Sequence, residues 1–159
     1  MDVGLISDTH GLLRPEALAA LAGVEIILHA GDVGAPAVLD ALARIAPVRA
    51  VRGNNDRGPW AARLPATDVV ELDGASILVI HDLGELDLDP VTSGFAAVVS
   101  GHSHQPLLRR DGPVLYANPG SAGPRRFRLP ITLARMRVAG GTVDAELIEL
   151  APATAPVAR

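Results

Sequence analysis

Seven side chains bearing oxygen or nitrogen lone pairs, Asp8, His10, Asp32, Asn54, His81, His102 and His104, each stand a short way past an apolar run. Asp8 and His10 follow Val3 to Ile6, Asp32 follows Ile26 to Leu28, and Asn54 follows Val48 to Val51. His81 ends the run from Ser76, and His102 and His104 follow Ala96 to Val99. The chain contains no Cys, which excludes disulfides, thiolate metal sites and cysteine nucleophiles, so a bound metal must rest on imidazole, carboxylate or amide groups. Three carboxylate or amide groups and four imidazoles are too many for one tetrahedral ion. They suit two ions ~3.5–4 Å apart if one carboxylate bridges. Mixed nitrogen and oxygen ligation fits Mn, Zn, Fe, Ni or Co, with Mn taken first, and argues against Ca, which prefers oxygen cages. The expected cofactor is therefore a pair of divalent metal ions.

For groups so far apart in sequence to meet, the elements carrying them must end at one place. The first half alternates apolar runs with Ala- and Leu-rich stretches: a strand at Val3 to Ile6, a helix opened by Pro15 and ending near Gly23, a strand at Ile26 to Leu28, a helix from Pro36 to Arg44, and a strand at Val48 to Val51. Such a β-α-β-α-β run implies parallel strands, whose carboxyl ends share one edge of the sheet, where ligands bind. The second half is strand-rich and reads as largely antiparallel: Val69 to Leu72, a turn at Asp73-Gly74, Ser76 to Ile80, Ala96 to Val99, Leu107 to Arg110, Val114 to Ala117, Ile131 to Val138, a turn at Gly140-Gly141, and Val143 to Leu150. His102 and His104, two apart, suit a tight turn aiming both at a common centre. Gly101, like Gly11, Gly31 and Gly53, allows close backbone approach there. The expected organisation is one domain over 1–150, with a disordered tail at 151–159.

Five short motifs appear in order: D-x-H at Asp8 to His10, H-x-G-D at His29 to Asp32, G-N-x-D at Gly53 to Asp56, a lone His81 after a strand, and G-H-x-H at Gly101 to His104. In that order and at that spacing, the chain resembles the calcineurin-like metallophosphoesterases over roughly residues 2 to 150. More narrowly it is similar to their small, cap-less bacterial and archaeal phosphodiesterase branch, which also carries the N-P-G-S stretch present at Asn118 to Ser121. The resemblance implies an α/β fold, a four-layer α/β/β/α sandwich of mixed sheets. It implies one ion on Asp8, His10, Asp32 and His104 and a second on Asp32, Asn54, His81 and His102, with Asp32 as the bridge. It further implies hydrolysis of phosphodiesters, with monoesters also within reach, by a metal-activated bridging water that attacks phosphorus in line.

Three positions depart from the family pattern. Asn55 follows the metal-binding Asn where many members have His, so the catalytic positions implied are Asp32, Asn54 and an Asn55 that cannot donate as an acid. Gly31 to Ala35 lacks a second Asp, and Asp82 follows His81 where Gly is typical. His29 has no ligand slot left and is expected to support the site, perched at the end of the second strand. Asp56 and Asn118 are either turn residues or supports of the site. Arg125, Arg126 and Arg128 form the densest basic patch, either a solvated loop or a rim that attracts anionic substrate, and Arg52 is a weaker candidate of the same kind.

All 14 basic residues are Arg and the formal net charge is -4, which gives no global attraction for nucleic acid. The expected partner is a small phosphoester or nucleotide substrate, without a membrane or a stable nucleic-acid complex, and with homo-oligomerisation left open. No basic leader and no apolar run of ~20 residues is present, so a cytoplasmic location is expected. The same small fold occurs in the retromer scaffold subunit, which makes a non-catalytic interaction scaffold the alternative function. A retired site should have lost imidazoles, whereas every expected His is present.

Overall fold

The computed structural model describes residues 1–152. Its elements are β1 (Asp2–Ile6), α1 (Pro15–Ala20), β2 (Ile26–His29), α2 (Pro36–Ala43), β3 (Val48–Ala50), α3 (Pro59–Ala62), β4 (Thr67–Leu72), β5 (Ala75–Ile80), a 3-10 turn at Leu83–Glu85, β6 (Ala97–Val99), β7 (Leu107–Asp111), β8 (Val114–Asn118), β9 (Ile131–Ala139) and β10 (Thr142–Ala151). Each α-helix starts with Pro at its first turn, where the missing N–H costs nothing and φ is already helical. The tail expected at 151–159 lies outside the described residues from 153 onward, and Ala151 itself closes β10.

The strands form two five-stranded sheets, ordered β10-β9-β1-β2-β3 and β4-β5-β6-β8-β7. In β1, Val3 and Leu5 face the second sheet while Ile6 faces the helices, the alternation that a strand buried on both sides requires. Between the sheets, Val3, Leu5 and Leu28 pack with Ile77, Val79 and Val99. On the outer face of the first sheet, Ala17 of α1, Leu21 just past its end, and Val38 and Leu42 of α2 cover Ile6, Ile27 and Leu133. Gly4 makes that packing possible, since a Cβ there would stand 2.5 Å from Leu21 Cδ2. The outer face of the second sheet, with Leu78, Ile80, Val98 and Val114, is covered by Leu83, Leu86 and Phe95 around the 3-10 turn. Layers of helix, sheet, sheet and outer cover therefore follow one another, in the four-layer order. Among the described residues, no helix is long and apolar enough to cross a membrane.

The antiparallel pairing expected of the second half holds for β4 with β5, β7 with β8 and β9 with β10, and gives way only at the centre of the second sheet. β5 pairs with β6 and β6 with β8 in parallel, and only the edge strands β4 and β7 run against them. The short 3-10 segment carries a crossover that in the first half is carried by helices. That parallel centre matters for function, because each sheet has a parallel trio, β1-β2-β3 and β5-β6-β8, with its carboxyl ends at one edge.

Candidate metal centre

The loops leaving these six strands are laddered to one another. Asp8 N–H donates to the Gly31 carbonyl (3.0 Å), His10 N–H to the Asp32 carbonyl (2.9 Å), Val51 N–H to the His29 carbonyl (3.1 Å), and Gly101 N–H to the His81 carbonyl (2.9 Å). Such close approach needs glycine. A Cβ on Gly53 would lie 2.1 Å from Asp32 Oδ1, and one on Gly101 would lie 2.0 Å from Ser7 Oγ. The cost of the arrangement shows in the backbone: Asp8, His10, Asp32, His102 and His104 all have φ between +47° and +72°. They are five of the seven non-glycine residues in that region among those described. Strain of about 1–3 kcal/mol per residue persists only where the surroundings over-determine it, and it clusters at functional sites.

All seven candidate side chains converge. His10 Nε2 stands 3.3 Å from His104 Nε2, 3.9 Å from Asp8 Oδ1 and 3.7 Å from Asp32 Oδ2. His104 Nε2 stands 3.5 Å from Asp8 Oδ1. On the other side of Asp32, the same Oδ2 lies 3.4 Å from His81 Nε2. Asn54 Oδ1 lies 2.9 Å from His81 Nε2 and 3.2 Å from His102 Nδ1. The groups thus divide into Asp8, His10 and His104 on one side and His81, Asn54 and His102 on the other, with Asp32 Oδ2 facing both.

Lone pairs in this cluster face lone pairs, which is the chemical test for a cation. Asp8 Oδ2 accepts from Ser7 Oγ (2.7 Å) and from His102 N–H (3.1 Å), but its buried Oδ1 has no hydrogen-bond partner. His81 Nδ1 lies 2.7 Å from the Ala30 carbonyl and must donate to it. Its Nε2 then meets the oxygens of Asn54 and Asp32 as an acceptor, unless a proton or a cation intervenes. Burial and the neighbouring His10 and Arg126 charges push His104 down to about 4, so its ring is neutral and free to ligate near pH 7. Burial raises Asp8 against the pull of Ser7. At Asp32 burial acts the same way but is outweighed by His81 and by two N–H groups of Asn55, which hold it well below the carboxylate range. Burial also opposes the charging of His81, yet contact with Asp32 and the Ala30 carbonyl wins and raises it. A proton on His81 and a cation between the groups are competing ways to satisfy the same lone pairs, and the donor set fits divalent ions.

The supporting residues fall into clear roles. Asn55, expected at a catalytic position, has its amide on Asp32: its backbone N–H donates to Oδ1 and its Nδ2 to Oδ2, both at 2.9 Å. Asp56 accepts from the N–H groups of Val33 (3.2 Å), Gly34 (2.9 Å) and Gly53 (2.9 Å), tying the β2 exit loop to the β3 exit loop. His29 is wholly buried; its Nδ1 accepts from Gly31 N–H (3.1 Å), and its Nε2 lies 3.0 Å from Thr9 Oγ, whose proton goes to the Val33 carbonyl. Both ring nitrogens are used, so it supports the loops. Asn118 donates from Nδ2 to the Gly101 carbonyl (3.0 Å) and Ser103 Oγ (3.1 Å), bracing the turn that carries His102 and His104. Ser121 Oγ donates to the Asp8 carbonyl (3.0 Å). Ser7 and Thr9 were missed because a lone hydroxyl carries no spacing signal, although both flank Asp8 in the run Ser7-Asp8-Thr9-His10. Arg125, expected at a substrate rim, spends its guanidinium on the carbonyls of Leu129 (2.7 Å) and Pro152 (2.8 Å). Arg126 and Arg128 are exposed, and the charge of Arg126 is felt at His104. Arg52 donates to the Leu64 carbonyl (3.1 Å).

This geometry can be set beside known proteins. A probable metallophosphoesterase of Methanothermobacter thermautotrophicus is 36% identical over 171 residues, taking in 100% of this chain and 96% of that protein. Two solved structures share the fold at lower identity. An archaeal phosphodiesterase has a TM-score of 0.78 at 22% identity, covering 93% of this chain and 100% of that one. Vps29 of Entamoeba histolytica, solved as a zinc complex, has a TM-score of 0.73 at 21% identity, covering 94% and 99%. The family model for the calcineurin-like phosphoesterase superfamily domain matches residues 1–141, and with a relative at 36% identity over the full chain it follows that this protein belongs to that superfamily.

Proposed function

We propose that the protein is a dinuclear-metal phosphoesterase that hydrolyses phosphodiesters, with monoesters as secondary substrates. The observation that carries this reading is the cage itself: Asp32 Oδ2 lies 3.7 Å from His10 Nε2 and 3.4 Å from His81 Nε2, with lone pairs converging from both sides. Asp8, His10, Asp32 and His104 would hold one ion, and Asp32, Asn54, His81 and His102 the other. Bound there, a pair of divalent cations supplies Lewis acidity that acidifies water and offsets charge on phosphoryl oxygens.

The chain's own residues prepare that chemistry. Asn55 fixes both oxygens of Asp32, so the shared carboxylate cannot rotate away from either half of the cage. Ser7 and the His102 N–H fix Asp8 Oδ2 and leave Oδ1 aimed among the imidazoles. The Ala30 carbonyl sets His81 so that Nε2 faces inward. Arg126 adds a positive rim near His104 that would draw an anionic ester.

The test is an assay of chelator-stripped protein on bis-p-nitrophenyl phosphate and p-nitrophenyl phosphate, with Mn, Zn, Ni and Mg restored separately. Turnover should return with Mn and exceed background on the diester first. No turnover with any ion would favour the other reading, an interaction scaffold, which the shared Vps29 fold supports and the complete donor set opposes.

A further inference from the structure

Next to the cage lies a cleft of about 480 Å³ that shares Asn54, His81 and His102 with it, within the size range of small-molecule pockets. Its floor is apolar, built from Leu78 and Ile80 of β5 together with Leu86. Its rim carries Asp82, Glu85 and Asp87 against a single guanidinium, that of Arg52. Arg52 is tied to the Leu64 carbonyl, and no ion pair among the described residues involves Glu85 or Asp87.

A groove that opens directly from a phosphate-binding cage must receive one of the two ester arms. An apolar floor suits carbon, and a rim of carboxylates repels an arm bearing a second negative charge. Resting on the phosphodiesterase reading above, we propose that this cleft seats the retained alcohol arm of the diester and selects a cationic amino alcohol of choline type over neutral and anionic arms.

Three p-nitrophenyl diesters test this, differing only in the second arm: choline, ethyl and 2-carboxyethyl. In each, a P–O bond forms to a water oxygen, the bond to nitrophenolate breaks, and one proton is released. With Mn restored, kcat/KM should fall in that order, by about tenfold from first to last. The order should compress to within twofold in the Glu85→Gln/Asp87→Asn variant, and in wild type on raising salt, since rim charges are screened. Equal rates for the three arms in wild type, or an order unchanged in the variant, overturns the assignment of the cleft while leaving the phosphoesterase reading in place. No turnover on any arm overturns both.

Discussion

Asn55 occupies the position where the family resemblance places a histidine, and its two N–H groups close on both oxygens of Asp32. A group engaged in this way positions the Asp32 carboxylate and has no proton to give a leaving oxygen. Two outcomes follow at the scale of this residue. Asn55→Ala should weaken Mn binding 10- to 100-fold by calorimetric titration, the usual cost of losing a partner that orients a ligand, and excess Mn should restore most of kcat. Unchanged affinity would show that Asp32 is held by other means. In wild type, the missing acid makes the rate depend steeply on the leaving group, so alkyl diesters should turn over far more slowly than p-nitrophenyl diesters under the same metal loading. Comparable rates would place a proton donor elsewhere in the site.

At the scale of elements, the exit loops act as one unit because Asp56 takes three backbone N–H groups from two of them. Asp56→Asn turns one acceptor oxygen into a donor facing donors, so it should cost about 1–3 kcal/mol in urea denaturation and loosen the turn from Gly53 to Asn55. The reading of Asp56 from sequence stopped at a choice between turn and support, since a carboxylate after G-N-x looks alike in both. The first half of the fold was legible because its helices leave a period that interrupts the strands. Strands β5, β6 and β8 were not legible as a parallel trio: their connections include only a 3-10 turn at Leu83–Glu85 and an excursion through β7, neither of which has helical periodicity. The candidate cage was legible from His and Asp following strands. The hydroxyls of Ser7 and Thr9 and the amide of Asn55 were not, because their roles depend on which carbonyl or carboxylate the fold brings to them.

Across the whole molecule, two parallel trios bring their carboxyl ends to one edge, and the price is a set of strained, desolvated groups held there. Five left-handed ligand candidates and an unpartnered Asp8 oxygen would be stabilised by ions that bind only the folded chain. Ions at roughly 100 times their dissociation constant add about 2.7 kcal/mol, so chelation should lower Tm by roughly 5–10 °C. A Tm indifferent to chelator would mean that the cage holds nothing. Acid acts most strongly through a different group, beyond the smaller effect of His104. Burial lowers His29 from 6.5 to about 3, so the folded chain keeps it neutral while the unfolded chain takes up a proton below pH 6.5. Its contribution is fully present above pH 6.5 and is lost as pH falls toward 3, at about 1.4 kcal/mol per unit, or about 2 kcal/mol by pH 5. Urea midpoints of chelator-treated protein should therefore drop between pH 7 and 5. His29→Gln, less stable at pH 7, should show a shallower drop over the same window, because the histidine it lacks is the one the unfolded state would charge. Parallel slopes for the two proteins would assign the acid sensitivity to the imidazoles of the cage instead.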